Sequence, residues 1–252
     1  MESHSQEKVT RQEESVISLK SLKKRKVTNV LKCTEGGKAL ELSVTDALRF
    51  SKIVRKHSAI NLYLLRHFQT FKLNFECPEK EVSSRRLLEP FKSIKTDSLH
   101  LSGCMEEEDG YYDLKDCRYL PIVFKTLTLT NFLIPDTVLE KILKRYYYTH
   151  TIMFESCCMD FGQLDLGKHI QYEIKEIKFD YCEFTGMDFA HESNGHYCRL
   201  FQAIAASSLK TSLQKMEFFY PMIPGRQLKR LAIQEGLKKV LIECHELSKN
   251  VK

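Results

Sequence analysis

The sequence predicts an α/β fold in which a short strand recurs along the chain with helical segments between its copies. Three observations lead there. A short apolar pattern occurs twice, as Ile152-x-Phe154-x-x-Cys157 and Ile177-x-Phe179-x-x-Cys182, at an offset of 25 residues. Apolar pairs of the same form, two residues apart and therefore on one face of a strand, recur from Leu73 to Ile242. The gaps between several of the pairs hold segments of helical spacing.

Within each copy the apolar pair faces inward, and a Cys three positions on lets the chain turn while staying buried. Met159 and Phe184, two residues beyond each Cys, add a second apolar plug. The full series of pairs is Leu73/Phe75, Leu99/Leu101, Leu127/Leu129, Ile152/Phe154, Ile177/Phe179, Met216/Phe218 and Val240/Ile242. Their first members lie 26, 28, 25, 25, 39 and 24 residues apart. The flanking positions test this register. Three residues before the pair an apolar residue is expected; Phe124, Ile174, Leu213 and Leu237 comply, whereas Thr96 and Thr149 do not. Seven residues after the first member, Ile134, Met159, Phe184, Ile223 and Leu247 comply and Glu106 does not. The corner position holds Cys104, Cys157 and Cys182 in three copies, and Phe132, Pro221 and His245 in others.

Helices fill the intervals. Pro135-Asp136 opens one over Thr137 to Tyr147, with Val138, Ile142 and Leu143 inward. Tyr197 to Ser207 and Gln227 to Glu235 carry the same spacing, while the long interval after Ile177 holds an insertion read as a polar surface loop. Upstream, Glu35-Gly36-Gly37 signals a turn before Ala39-Leu40-Glu41-Leu42, and Thr45 is placed as the N-cap of a helix over residues 46–54. Residues 31–70 are expected to cap the first strand, because a terminal unit needs one face against the core and the other in water. Residues 1–30 read as a basic, polar, partly helical arm, too poor in apolar side chains over Met1 to Ser15 to order alone. The stacked domain takes residues 71–252.

From about residue 71 to 250, the apolar pairs, the Cys corners and the plugs after them resemble a divergent leucine-rich-repeat domain of the ribonuclease-inhibitor-like subtype. The resemblance implies a curved solenoid of parallel strands backed by helices, protein binding across the strand face, and no active site. Phe132, Pro221 and His245 at the corner, and Pro78 in the first copy, depart from the pattern and bear on the number of complete repeats.

Cysteine usage and charge narrow the function classes. The nine Cys are an odd number with no C-x-x-C pair, and Met1 to Lys20 lacks a continuous apolar segment of the signal-peptide kind. Reduced thiols in the cytoplasm or nucleus are therefore expected. No apolar run reaches the roughly 20 residues that span a bilayer. Neither a Gly-x-Ser-x-Gly elbow nor a Gly-rich phosphate loop occurs, so a non-enzymatic protein without a cofactor is expected. His191, His196 and Cys198, with Cys182 upstream, come nearest to a metal set, but their spacing matches no common zinc pattern and no metal is expected. The net charge of +6 is concentrated in Lys20, Lys23, Lys24, Arg25 and Lys26, a run suited to nuclear import or phosphate contact.

The residues between the inward pairs are left for recognition. Three positions past each first member stand Ser102, Thr130, Glu155, Asp180, Phe219 and Glu243; one position past stand His100, Thr128, Met153, Lys178, Glu217 and Leu241. Glu155 and Asp180 are expected as neighbours on adjacent strands, with Glu217 and Glu243 continuing a partly acidic strip and Tyr181, Phe219 and Tyr220 supplying rings. The expected function is a protein interaction module or adapter whose partner meets Glu155, Asp180, Tyr181, Glu217, Phe219, Tyr220 and Glu243. Two alternatives stand beside it: a nucleic-acid-associated protein using the basic arm, and a substrate-recognition adapter of a larger complex.

Overall fold

The computed structural model describes residues 30–33, 39–44, 67–75, 88–103, 112–114, 118–162, 164–185 and 193–246. The basic run at Lys20 to Lys26, the turn at Glu35 to Gly37, the helix over 46–54, Cys104, His191 and Leu247 lie outside these residues. With strands numbered in chain order, one sheet runs β1 (Val30–Cys33), β2 (Ala39–Val44), β3 (His67–Phe75), β4 (Lys95–Ser102), β6 (Ile122–Thr130), β8 (Thr151–Glu155), β10 (Glu176–Asp180), β12 (Lys215–Phe219) and β13 (Leu241–His245). The β1–β2 pair is antiparallel and the other seven pairings are parallel. A second, wholly parallel sheet orders β11 (Glu183–Thr185), β9 (Cys158–Asp160), β7 (Phe132–Ile134) and β5 (Tyr112–Asp113). Among the described residues the α-helices are α1 (Asp136–Arg145), α2 (Ser193–Ala206), α3 (Leu209–Ser212) and α4 (Gly225–Gln234). The fold is thus mixed α/β with an open, mostly parallel sheet, and among the described residues no helix is long and apolar enough to cross a membrane.

The central pairs stand where their spacing puts them. Leu127, Ile152, Ile177 and Met216 are in register across β6, β8, β10 and β12, as are Leu129, Phe154, Phe179 and Phe218, and all eight are buried. The rings of Phe154, Phe179 and Phe218 stack at centroid distances of 5.6 and 5.0 Å, so each buried ring adds contact with its neighbour to its own removal from water.

At both ends the pairing differs from the expected one by two residues. Phe71 and Leu73 stand opposite Leu99 and Leu101, and Ile242 and Cys244 stand opposite Met216 and Phe218. The pairs of β3 and β13 are therefore Phe71/Leu73 and Ile242/Cys244 rather than Leu73/Phe75 and Val240/Ile242. A slip of two leaves the same side chains inward, so alternation alone cannot separate the two registers. In β2, Leu40 and Leu42 stand in register with Phe71 and Leu73.

The flanking positions show two further departures. Thr96 and Thr149 are fully buried despite their hydroxyls, because Thr96 Oγ1 donates to the Ser98 carbonyl and Thr149 Oγ1 to the Val123 carbonyl, each at 2.9 Å. Phe124 behaves oppositely: it is 38% exposed while Val123 takes the core position. Thr96 and Ser98 of β4 face Val123 and Thr126 of β6, so β6 carries an extra residue that turns Phe124 outward.

Each central strand ends in the same turn. Asn131, Ser156, Tyr181 and Tyr220 adopt φ of 62, 46, 49 and 56°, a left-handed conformation that costs a non-glycine residue roughly 1 kcal/mol. Their N–H groups offset this by donating to the carbonyls of Glu155, Asp180, Phe219 and His245 on the next strand, at 2.7–3.3 Å. The following Cys157 and Cys182 point back, each Sγ donating at 3.3 Å to a carbonyl of the preceding strand, Leu129 and Phe154. A corner that is small, buried and able to donate weakly suits cysteine. Burial pushes the Cys157 thiol up to about 12 and raises Cys182 as well. The chain then enters the second sheet, whose Phe132, Ile134, Met159 and Phe184 close the core.

Helix α1 buries Val138, Ile142 and Leu143 as the sequence indicates, and Leu139 as well. The interval after Ile177 carries the helix expected over Tyr197 to Ser207 as α2, with Tyr197, Leu200, Phe201 and Ile204 buried, followed by α3; the polar-loop expectation fails at His196 and Cys198, which lie on α2. The Tyr197 ring sits 5.0 Å from Phe184, and its hydroxyl accepts the Met222 N–H at 3.1 Å. His196 and Cys198 consequently ride on a packed helix, while Cys182 is held at its strand corner.

Candidate functional site

Alternation in the larger sheet gives its other face to side chains that are exposed or half-buried, and parallel register arranges them in rows. On β3, β4 and β6 these rows are short and mostly uncharged: Thr70, Ser98 and Thr126; Lys72, His100 and Thr128; Asn74, Ser102 and Thr130. On β8, β10, β12 and β13 they become Thr151, Glu176, Lys215 and Leu241; Met153, Lys178, Glu217 and Glu243; Glu155, Asp180, Phe219 and His245. The slip at β13 moves Glu243 out of the Glu155–Asp180 row and places it beside Glu217. His245 takes the vacated place, inside the strand rather than at a corner. Leu241, expected in the middle row, lies in the first and is 54% exposed.

The strip expected to be acidic is largely neutralised. Lys178 Nζ lies 2.7 Å from Glu217 Oε2, and Lys215 Nζ pairs with Glu217 Oε1 and, at 2.8 Å, with Glu243 Oε2. Glu176 joins at 3.4 Å from Lys178 and 3.8 Å from Lys215. The Glu217 side chain is only 8% exposed. Burial by itself would raise its carboxyl, but the bonds from Lys178 and Lys215 outweigh that and hold it at about 2. Glu217, Glu243 and His245 bring three ligand atoms within 4.8 Å of one another, close enough to share one ion. The Lys215 ammonium already bridges the two carboxylates, so the cation of this cluster is a side chain.

Glu155 and Asp180 are in a different state. They are register neighbours on β8 and β10, and among the described residues no Lys or Arg pairs with either carboxylate. Glu155 Oε2 accepts the Thr130 hydroxyl at 2.9 Å, and His100 Nε2 lies 3.0 Å from that hydroxyl. With the Thr130 hydroxyl donating to Glu155, Nε2 of His100 is the donor to Thr130, and the chain of bonds orients the carboxylate. Burial and the nearby Lys72 lower His100, and Glu155 only partly opposes them. Asp180 Oδ1 is covered and accepts no hydrogen bond, and burial, followed by the Glu155 charge, raises the Asp180 carboxyl.

Beside this pair stands an aromatic shelf. The left-handed turns project Tyr181, 54% exposed, onto Tyr220 at a centroid distance of 4.1 Å with the rings nearly parallel. Phe219 stacks on His245 at 4.3 Å. The sequence-designated residues thus fall into two groups: Glu155, Asp180, Tyr181, Phe219 and Tyr220 border open surface, whereas Glu217 and Glu243 are engaged by lysines. Lys215 and His245 were not singled out by sequence. Lys215 was legible by extending the alternation one residue before Met216; His245 was hidden by the β13 register.

No family model, curated protein or solved structure matches the chain.

Proposed function

We propose that this protein is a non-enzymatic interaction module of leucine-rich-repeat type, which offers the outer face of its larger sheet to another protein in the cytoplasm or nucleus. The repeat reading is supported by the recurring unit of strand, left-handed turn, back-bonded corner and second strand, with cysteine at the corner in two central copies. The observation that carries the binding reading is the Tyr181–Tyr220 stack, with Tyr181 exposed, next to Phe219 and two carboxylates that no Lys or Arg of the described residues pairs. Rings that are rigid and solvent-facing lose little entropy on binding and supply most of the energy at interface centres. The carboxylates disfavour phosphate at the same face.

The test is quantitative capture of partners from a lysate by the full chain and by a Tyr181→Ala/Phe219→Ala/Tyr220→Ala variant of unchanged thermal stability. Loss of the captured proteins by about tenfold or more is expected, with capture retained when residues 1–26 are deleted. The opposite pattern, with partners following the basic arm and falling away steeply with salt, would transfer the binding role to that arm.

A further inference from the structure

The Glu155–Asp180 pair extends the interaction reading, on which it rests, to the chemistry of the partner. Adjacent parallel strands place two carboxylates of one row about 4.8 Å apart at the backbone. This arrangement occurs twice on the face. At Glu217 and Glu243 the fold itself supplies a cation, the Lys215 ammonium, against both groups. At Glu155 and Asp180 the same relation exists and no Lys or Arg of the described residues fills it. Glu155 is held in place by Thr130, so its free acceptor capacity points from a fixed group.

The flanking residues select the kind of cation. Tyr181 directly follows Asp180, and its ring is half-open and braced by Tyr220. A planar guanidinium can donate to two carboxylates through its fork and lie on an aromatic face; an ammonium has no plane to stack. We propose that the protein partner presents an arginine whose guanidinium seats on Glu155 and Asp180, with the Tyr181–Tyr220 stack along its side.

Isotope-labelled full chain titrated with acetyl-Gly-Arg-Gly-amide, and separately with its lysine and citrulline counterparts, tests this by backbone NMR. The arginine peptide is expected to shift the signals of Glu155, Asp180, Tyr181 and Tyr220 saturably, and the lysine and citrulline peptides to shift them at least threefold less. Glu155→Gln/Asp180→Asn, a near-isosteric change, should remove the response while leaving the rest of the spectrum in place. Equal shifts from citrulline, or an undiminished response in that variant, would overturn the proposal; equal shifts from lysine would overturn the choice of arginine. Partner capture separates this failure from that of the interaction reading. If the aromatic variant loses partners and Glu155→Gln/Asp180→Asn keeps them, the arginine is refuted and the face stands. If both keep them, both readings fall.

Discussion

The two halves of the outer sheet face share one scaffold and differ in chemistry. On β3, β4 and β6 the outer rows are dominated by Ser, Thr and Asn, whereas on β8 to β13 they carry the lysine–glutamate network, the open carboxylate pair and the stacked rings. On the inner face no such division exists: Leu99/Leu101 and Leu127/Leu129 in one half serve the same purpose as Ile152/Phe154 and Ile177/Phe179 in the other. From β3 to β13 stacking thus dictates the inner residues and constrains the outer ones less. On the proposed reading, the exposed rings and the Glu155–Asp180 pair on one half of the outer face serve partner binding.

The largest effects are expected where the halves are alike. Leu101→Ala and Phe179→Ala should each destabilise by about 3–5 kcal/mol in denaturant unfolding, since both empty a fully or nearly fully buried site. A much smaller loss at Leu101 would mean that the two halves do not share a cooperative core.

The next effect separates the halves. Glu217→Ala should cost about 2 kcal/mol by leaving Lys178 and Lys215 half-paired, a figure below that of a fully buried pair because both lysines reach solvent. Thr128→Ala in the same row should stay within about 0.5 kcal/mol. The pH dependence follows from the sign of the shift: a carboxyl lowered from 4.5 to about 2 on folding contributes stability above 4.5 that disappears as pH falls toward 2. Unfolding measured across that interval should show a steeper acid loss for the natural chain than for Glu217→Gln.

A smaller effect of opposite sign is expected at Asp180. Its carboxyl is raised on folding, so stability falls as pH rises through its titration, and Asp180→Asn should stabilise at neutral pH by about 0.5 kcal/mol or less. Destabilisation by that variant in denaturant unfolding would show that a partner within the chain holds Asp180.

Much of this was legible because the repeat constrains several positions at once. From Leu127 to Phe218 the pairs and plugs agreed, and the strands formed in the expected register. At β3 and β13 fewer positions agreed independently, and a period of two is blind to a shift of two. That blindness displaced Glu243 and concealed His245. Phe124 satisfied the flanking rule by sequence alone, but an extra residue in β6 changed which neighbour was buried. The Tyr181 and Tyr220 turns gave no local signal, because bulky residues are poor markers of a left-handed backbone and only the N–H bonds to the next strand explain them there. The charge state of the strip was hidden for a related reason: Lys215 neutralises Glu217 and Glu243 only through their placement on adjacent strands.

Photo-crosslinking tests the central claim most directly, with a benzoylphenylalanine introduced at Tyr181 in one sample and at Thr128 in another, each in the folded full chain exposed to a lysate. A defined protein adduct from position 181, and none above background from position 128, is the expected result. Equal labelling at both positions, or adducts from position 128 alone, would contradict a binding site on the charged and aromatic half.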